Sequence, residues 1–180
     1  MSSSYNTASP AIVAKPKDQR VIAFAISTLV VLVDRVTKHL VAKQLPFGQA
    51  HTVIPGVFRI TDVHNTGAAF SMFAENASPE MVRDLLIGFS VVAVLVLLAM
   101  LMRTGRYLSV TSVALALILG GAFGNLYDRI RYHYVIDFLE VHIVHYHWPD
   151  FNVADSCIVI GACLLLIEIF RPQPGNGTLG

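Results

Sequence analysis

Four long apolar blocks punctuate the chain, at about residues 21–41, 85–102, 107–127 and 153–170, and most of its polar side chains collect between them. A helix needs about 20 apolar residues to cross a hydrocarbon core about 30 Å thick, so each block predicts a membrane-spanning helix. Only Arg103-Thr104-Gly105-Arg106 joins the second block to the third, which predicts a tight helical hairpin. The first block follows Lys15, Lys17 and Arg20 as a signal peptide would. It has no small-residue cleavage pattern, however, and runs into Asp34, Arg35 and Lys38, so it is read as a retained span. Residues 1–20, rich in Ser, Ala, Pro and Lys, and residues 172–180 are expected to be disordered cytoplasmic tails flanking one domain over 21–171.

The two long connections are about 42–84 and 128–152. Val57 to Val63 alternates after the Pro55-Gly56 turn and predicts a strand, with Ala68 to Phe73 as a possible partner. Asp137 to His145 mixes apolar and polar residues without a clear period and is expected to lie along the interface. The expected fold is thus an integral membrane protein, mainly α: a four-transmembrane-helix bundle with a small extracytoplasmic β-element and an interfacial segment. Lys and Arg are densest in the N-terminal tail, at Arg103 and Arg106, and at Arg171. That bias places both termini in the cytoplasm, although Lys43, Arg59, Arg83, Arg129 and Arg131 in the opposing loops make it modest. Function is then expected on the extracytoplasmic side.

The composition, 54% apolar and 14% charged, matches this class. A net charge of +1 without a basic run excludes nucleic acid as a partner. Cys157 and Cys163 both fall inside the last apolar block and read as packing residues.

A charge within a span costs roughly 2.5 to 3.5 kcal/mol on insertion scales, so each one needs a partner, a route to water or a task. Asp34 and Lys38, four apart, share a helical face and suit a structural ion pair. Gly120 and Gly124 form a small-xxx-small face for close helix approach, and Asn125 and Arg129 continue it outward beside Asp128. Asp137 and Asp155 both sit in apolar surroundings at one membrane level. Brought together, one would keep its proton while the other activates water, the division of labour in an aspartic peptidase. An N-cap role for Asn152 or Asp155, and solvent exposure for Asp137, remain open on these grounds. His142, His145 and His147 invite a zinc reading, but their spacing is not that of a zinc peptidase and they adjoin Tyr146 and Trp148, so an interfacial aromatic belt is preferred and no metal is expected.

Asp34-Arg35-Val36-Thr37-Lys38, His64-Asn65-Thr66-Gly67-Ala68-Ala69-Phe70, the run from Gly120 to Arg129, Val135-Ile136-Asp137-Phe138 and Phe151-Asn152-Val153-Ala154-Asp155 together resemble the motifs of the bacterial lipoprotein signal peptidases, or signal peptidase II. They occur in the family's order and cover about residues 20–170. The resemblance implies a catalytic pair at Asp137 and Asp155, substrate-binding roles for Asn65, Asn125, Arg129 and Asn152, and supporting roles for Asp34, Lys38 and Asp128. It implies an aspartic endopeptidase of the bacterial cytoplasmic (inner) membrane that cleaves diacylglyceryl-modified prolipoproteins before the lipidated cysteine. No cofactor or metal is implied, and the protein is expected to act as a monomer among membrane lipid. Asn65 to Phe73, with Gly67 as hinge, is a candidate closing loop. The rival from another class is a non-enzymatic transporter or scaffold whose acids bind an ion.

Overall fold

The four apolar blocks form four helices: α1 Arg20–Gln44, α2 Pro79–Thr104, α3 Val110–Tyr132 and α4 Val153–Ile169. The structure is a computed structural model and describes residues 18–67, 78–144 and 146–171. The expected tails fall almost wholly outside those residues. At the first tail's inner end the expectation is corrected: Gln19 donates its N–H to the Arg106 carbonyl at 3.1 Å, and its side chain accepts from the Leu108 N–H. The entry to α1 is therefore tied to the α2–α3 turn.

Local chemistry sets the helix ends. Ser78 caps α2 by accepting from the Met81 N–H, with Pro79 opening the first turn. Ser109 and Ser112 form a reciprocal box at the start of α3, as Asn152 and Asp155 do at the start of α4. α3 runs five residues past its expected end at about 127 and stops at His133, whose φ of 68° turns the chain toward the next strand. The polar residues Asn125 and Asp128 ended the apolar pattern, but both are buried against partners on α1, which keeps that turn helical.

α3 lies against all three other helices. A Cβ at Gly121 would stand 2.4 Å from the Ala154 carbonyl of α4, and one at Gly124 would stand 2.7 Å from an Asp34 carboxylate oxygen of α1. Glycine at these two positions is what permits both approaches. Gly121→Ala should therefore overpack the α3–α4 contact, at a cost of about 1–3 kcal/mol. Thermal unfolding in detergent would check this, and an unchanged midpoint would show that α4 can adjust freely.

Two helices, α2 and α3, are long and apolar enough to cross a membrane by length and composition. α4 has 17 residues, and α1 carries Asp34, Arg35 and Lys38 in its C-terminal half. Leu85, Phe89, Val92, Leu95 and Val96 on α2, and Val159, Ile160, Leu166 and Ile167 on α4, all face outward. Such a belt is costly in water and natural in lipid.

The connections fold into one antiparallel sheet in the order β1-β2-β3-β4: β1 Ala50–Ile54, β2 Phe58–Asn65, β3 Val135–Ile143 and β4 Tyr146–Phe151. β2 covers the strand expected from alternation at Val57 to Val63. The segment expected to lie along the interface is instead β3, an inner strand, followed by β4. Its main chain is hydrogen-bonded to strands on both sides, and Val135 to Phe138 are buried. Pairing of the backbone on both edges outweighs the weak amphipathic pattern that suggested a surface segment. Ala68 to Phe73 and most of the proposed closing loop lie outside the described residues. β2 finds its partners in β1 and β3.

Candidate active site

Asp137 occupies the buried first half of β3 and is 2% exposed, which removes the solvent-exposed alternative. Each of its carboxylate oxygens accepts from an asparagine side chain: Oδ2 from Asn65 Nδ2 at 2.9 Å and Oδ1 from Asn152 Nδ2 at 2.7 Å. Asn65 reaches it from the neighbouring strand, where Val63 stands opposite Asp137 and Asn65 opposite Val135. Gly67, at φ 81°, directs its N–H back onto Asn65 Oδ1 at 2.9 Å and fixes the amide's orientation. His64, stacked at 3.8 Å on Tyr134 and packed at 4.3 Å against Phe47, joins the end of β2 to the approach to β3.

Asp155 sits in the first turn of α4. Its Oδ1 accepts from Asn125 Nδ2 at 2.7 Å and its Oδ2 from the Asn152 N–H at 3.2 Å, while its own N–H donates to Asn152 Oδ1 at 2.9 Å. Asn152 thus caps α4 and bridges the two acids. The N-cap role expected for Asn152 is met, and the same side chain also reaches the Asp137 carboxylate. Burial pushes the Asp137 carboxyl up to about 7 against its asparagine donors, and the nearby charge of Asp155 adds to the rise.

Behind the pair lies a fully buried ionic knot. Lys38 Nζ is 2.9 Å from Asp34 Oδ2, 2.7 Å from Asp128 Oδ2 and 3.1 Å from Asn125 Oδ1. Asp34 Oδ1 accepts from the Ala154 N–H at 3.1 Å, and Asp128 Oδ2 accepts from the Ile136 N–H at 3.5 Å. The two supporting acids therefore hold the backbone amides that immediately precede Asp155 and Asp137, and one lysine clamps both. Arg35 completes the charge balance by pairing with Asp128 while its guanidinium lies 4.4 Å over the Tyr127 ring.

Eight of the nine expected side chains share one network of hydrogen bonds and ion pairs: Asp137, Asp155, Asn65, Asn125, Asn152, Lys38, Asp128 and Asp34. Asp34 joins it through Lys38 and Ala154. Arg129 is half-buried and donates to the Asn125 carbonyl at 3.4 Å, one turn along α3 from the network. Arg35, one residue from Asp34, points off that helical face, and only the fold brings it to Asp128.

Residues 26–171 match the family model described as Signal peptidase (SPase) II. The chain belongs to the signal peptidase II family. It is 45% identical over 146 residues to the lipoprotein signal peptidase of Alteromonas mediterranea, covering 81% of this chain and 79% of that one. Identity to the lipoprotein signal peptidase of Solibacter usitatus is 40% over 156 residues, covering 87% and 94% of the two chains. A solved bacterial membrane enzyme structure obtained by the in meso method superposes with a TM-score of 0.77 at 29% identity, covering 88% of this chain and 99% of that one. Every residue of the network lies inside the region matched to signal peptidase II, and this membership leaves the transporter or scaffold reading unsupported.

A mainly apolar cleft of about 460 Å³ opens between the C-terminal end of α1 and the sheet, lined in part by Leu40, Val41, Leu45, Ile60 and Phe138. Phe138 follows Asp137 in β3, but successive side chains of a strand point to opposite faces of the sheet, and neither Asp137 nor Asp155 lines the cleft.

Proposed function

We propose that Asp137 and Asp155 are the catalytic pair with which this member of the signal peptidase II family removes the signal peptide from prolipoproteins. The observation that carries this reading is the Asn152 bridge, which holds two carboxylates in one buried network with their asparagine donors. Asp137, raised to about 7, is the proton donor, and Asp155 is the base. Asp155 takes a proton from water, whose oxygen attacks the carbonyl carbon before the lipidated cysteine. Asp137 gives its proton to the carbonyl oxygen. As the gem-diol intermediate collapses, Asp155 gives its proton to the cysteine nitrogen and Asp137 takes one back from a hydroxyl, so the C–N bond breaks and both acids return to their starting states.

All four helices span the inner membrane of the bacterium, with the sheet on the extracytoplasmic side and both termini inside. The enzyme works as a monomer, and its substrate slides in laterally from the lipid. Apolar walls between the spans hold the acyl chains of the diacylglyceryl group, and Arg129, Asn65 and Asn125 orient the peptide. The pH profile tests the assignment of roles. Because Asp137 must be protonated, kcat/KM should fall about tenfold per pH unit above about 7. A flat profile from pH 7 to 9 would remove Asp137 as the donor.

A further inference from the structure

On the far part of the sheet, beyond Asp137 along β3, a second cluster of titratable side chains takes no part in the hydrolysis. Glu140 and His142 lie two apart in β3, and His147 stands directly opposite His142 in β4. Glu140 Oε1 is 2.7 Å from His142 Nε2 and 3.5 Å from His147 Nε2, and the two imidazole rings stack with centroids 5.0 Å apart. One ligand atom from each of the three residues lies within 4.8 Å of the others.

We propose that Glu140, His142, His147 and Asp150 form a binding site for a divalent transition-metal ion of zinc type, which staples β3 to β4. Two imidazoles with carboxylate oxygens are a borderline donor set suited to such an ion. With bonds of about 2.0 to 2.1 Å, a tetrahedral ion keeps its ligand atoms a little over 3 Å apart, so only small side-chain rotations are needed. Arg59, opposite Glu140 in the β2–β3 ladder, holds the other carboxylate oxygen, Oε2, at 3.1 Å. That contact leaves Oε1 facing the histidines, the arrangement in which an outer group orients a metal-binding carboxylate.

A separate observation points to the same ion. Asp150 Oδ1 is buried without a hydrogen-bond partner and lies 3.9 Å from His147 Nε2. A buried carboxylate oxygen left unpaired is costly, and a cation between it and Glu140 would satisfy it. The three histidines of the sequence, taken by themselves, gave no ligand spacing. The sheet supplies what was missing, because it sets Glu140 and Asp150 beside His142 and His147. Since β3 carries Asp137 and β4 ends one residue before Asn152, the ion would brace both strands that deliver the acid pair without touching it.

The test uses the full, untagged chain in detergent, titrated with Zn²⁺ by calorimetry and followed by thermal unfolding. One equivalent should bind and raise the unfolding temperature. In His142→Ala/His147→Ala, which should retain peptidase activity, affinity should fall at least about 100-fold, and in Arg59→Ala about 10- to 100-fold. Glu140→Gln, nearly isosteric, should also weaken binding and gives the same reading should the double variant misfold. Absence of stoichiometric binding to the wild type, or wild-type affinity in both Glu140→Gln and the double variant, would overturn the proposal.

Discussion

Asp137→Asn and Asp155→Asn should each lower single-turnover cleavage of a diacylglyceryl-modified precursor by on the order of 10³- to 10⁴-fold while still binding it. The reason is division of roles: each acid handles a different proton, so neither can cover for the other. Asparagine keeps the shape and one acceptor oxygen, so the Asn65 and Asn152 contacts survive in altered form and the variants should fold. Stability offers an independent check on Asp137. Folded Asp137 holds its proton more tightly than the unfolded chain, whose carboxyl titrates near 3.8. Its contribution is therefore fully present below about pH 4 and is lost as the pH rises through 7. Asp137→Asn should abolish that decline. Near wild-type cleavage by either variant would mark the residue as structural and require another acid, Asp34 or Asp128, in its place.

Lys38→Met should cost about 3–5 kcal/mol of stability, the larger effect on folding. Lys38, Asp34 and Asp128 are all fully buried, and removing the ammonium strands two carboxylates that also hold the Ala154 and Ile136 amides. Arg35 still pairs with Asp128, so Asp34 bears most of the loss. Adding Asp34→Asn to Lys38→Met should recover part of the stability by removing the unpaired charge. Thermal unfolding of both variants measures this; a wild-type midpoint for Lys38→Met would mean that the knot contributes little.

The helices were legible because uninterrupted apolar runs have few other uses, and β2 because its alternation is regular. The candidate site was legible for a related reason: Asp34, Lys38, Asn125, Asp128, Asp137 and Asp155 are expensive in apolar company and so stand out. β3 and β4 were hidden. An inner strand packed against helices at one end and carrying Glu140 and His142 at the other shows no single period, and its pairing with β2 joins residues 72 apart, as in the bond from Asn65 to Asp137. The end of α3 was misjudged for a comparable reason, since the cost of burying Asn125 and Asp128 is offset by a lysine on another helix that no local window contains. Arg35 escaped because its partner, Asp128, is 93 residues away.

The bond from Asp34 to the Ala154 amide spans 120 residues and ties the first helix to the last. Closing so long a loop has to wait for nearly the whole polypeptide to be synthesised and inserted. Until α4 docks against α1 and α3, Asp155 has neither its position nor its Asn125 donor, and Asn152 has no Asp137 to bridge. A nascent chain paused partway through insertion thus carries no assembled acid pair, and on the proposed roles proteolytic competence arrives only with completed topogenesis.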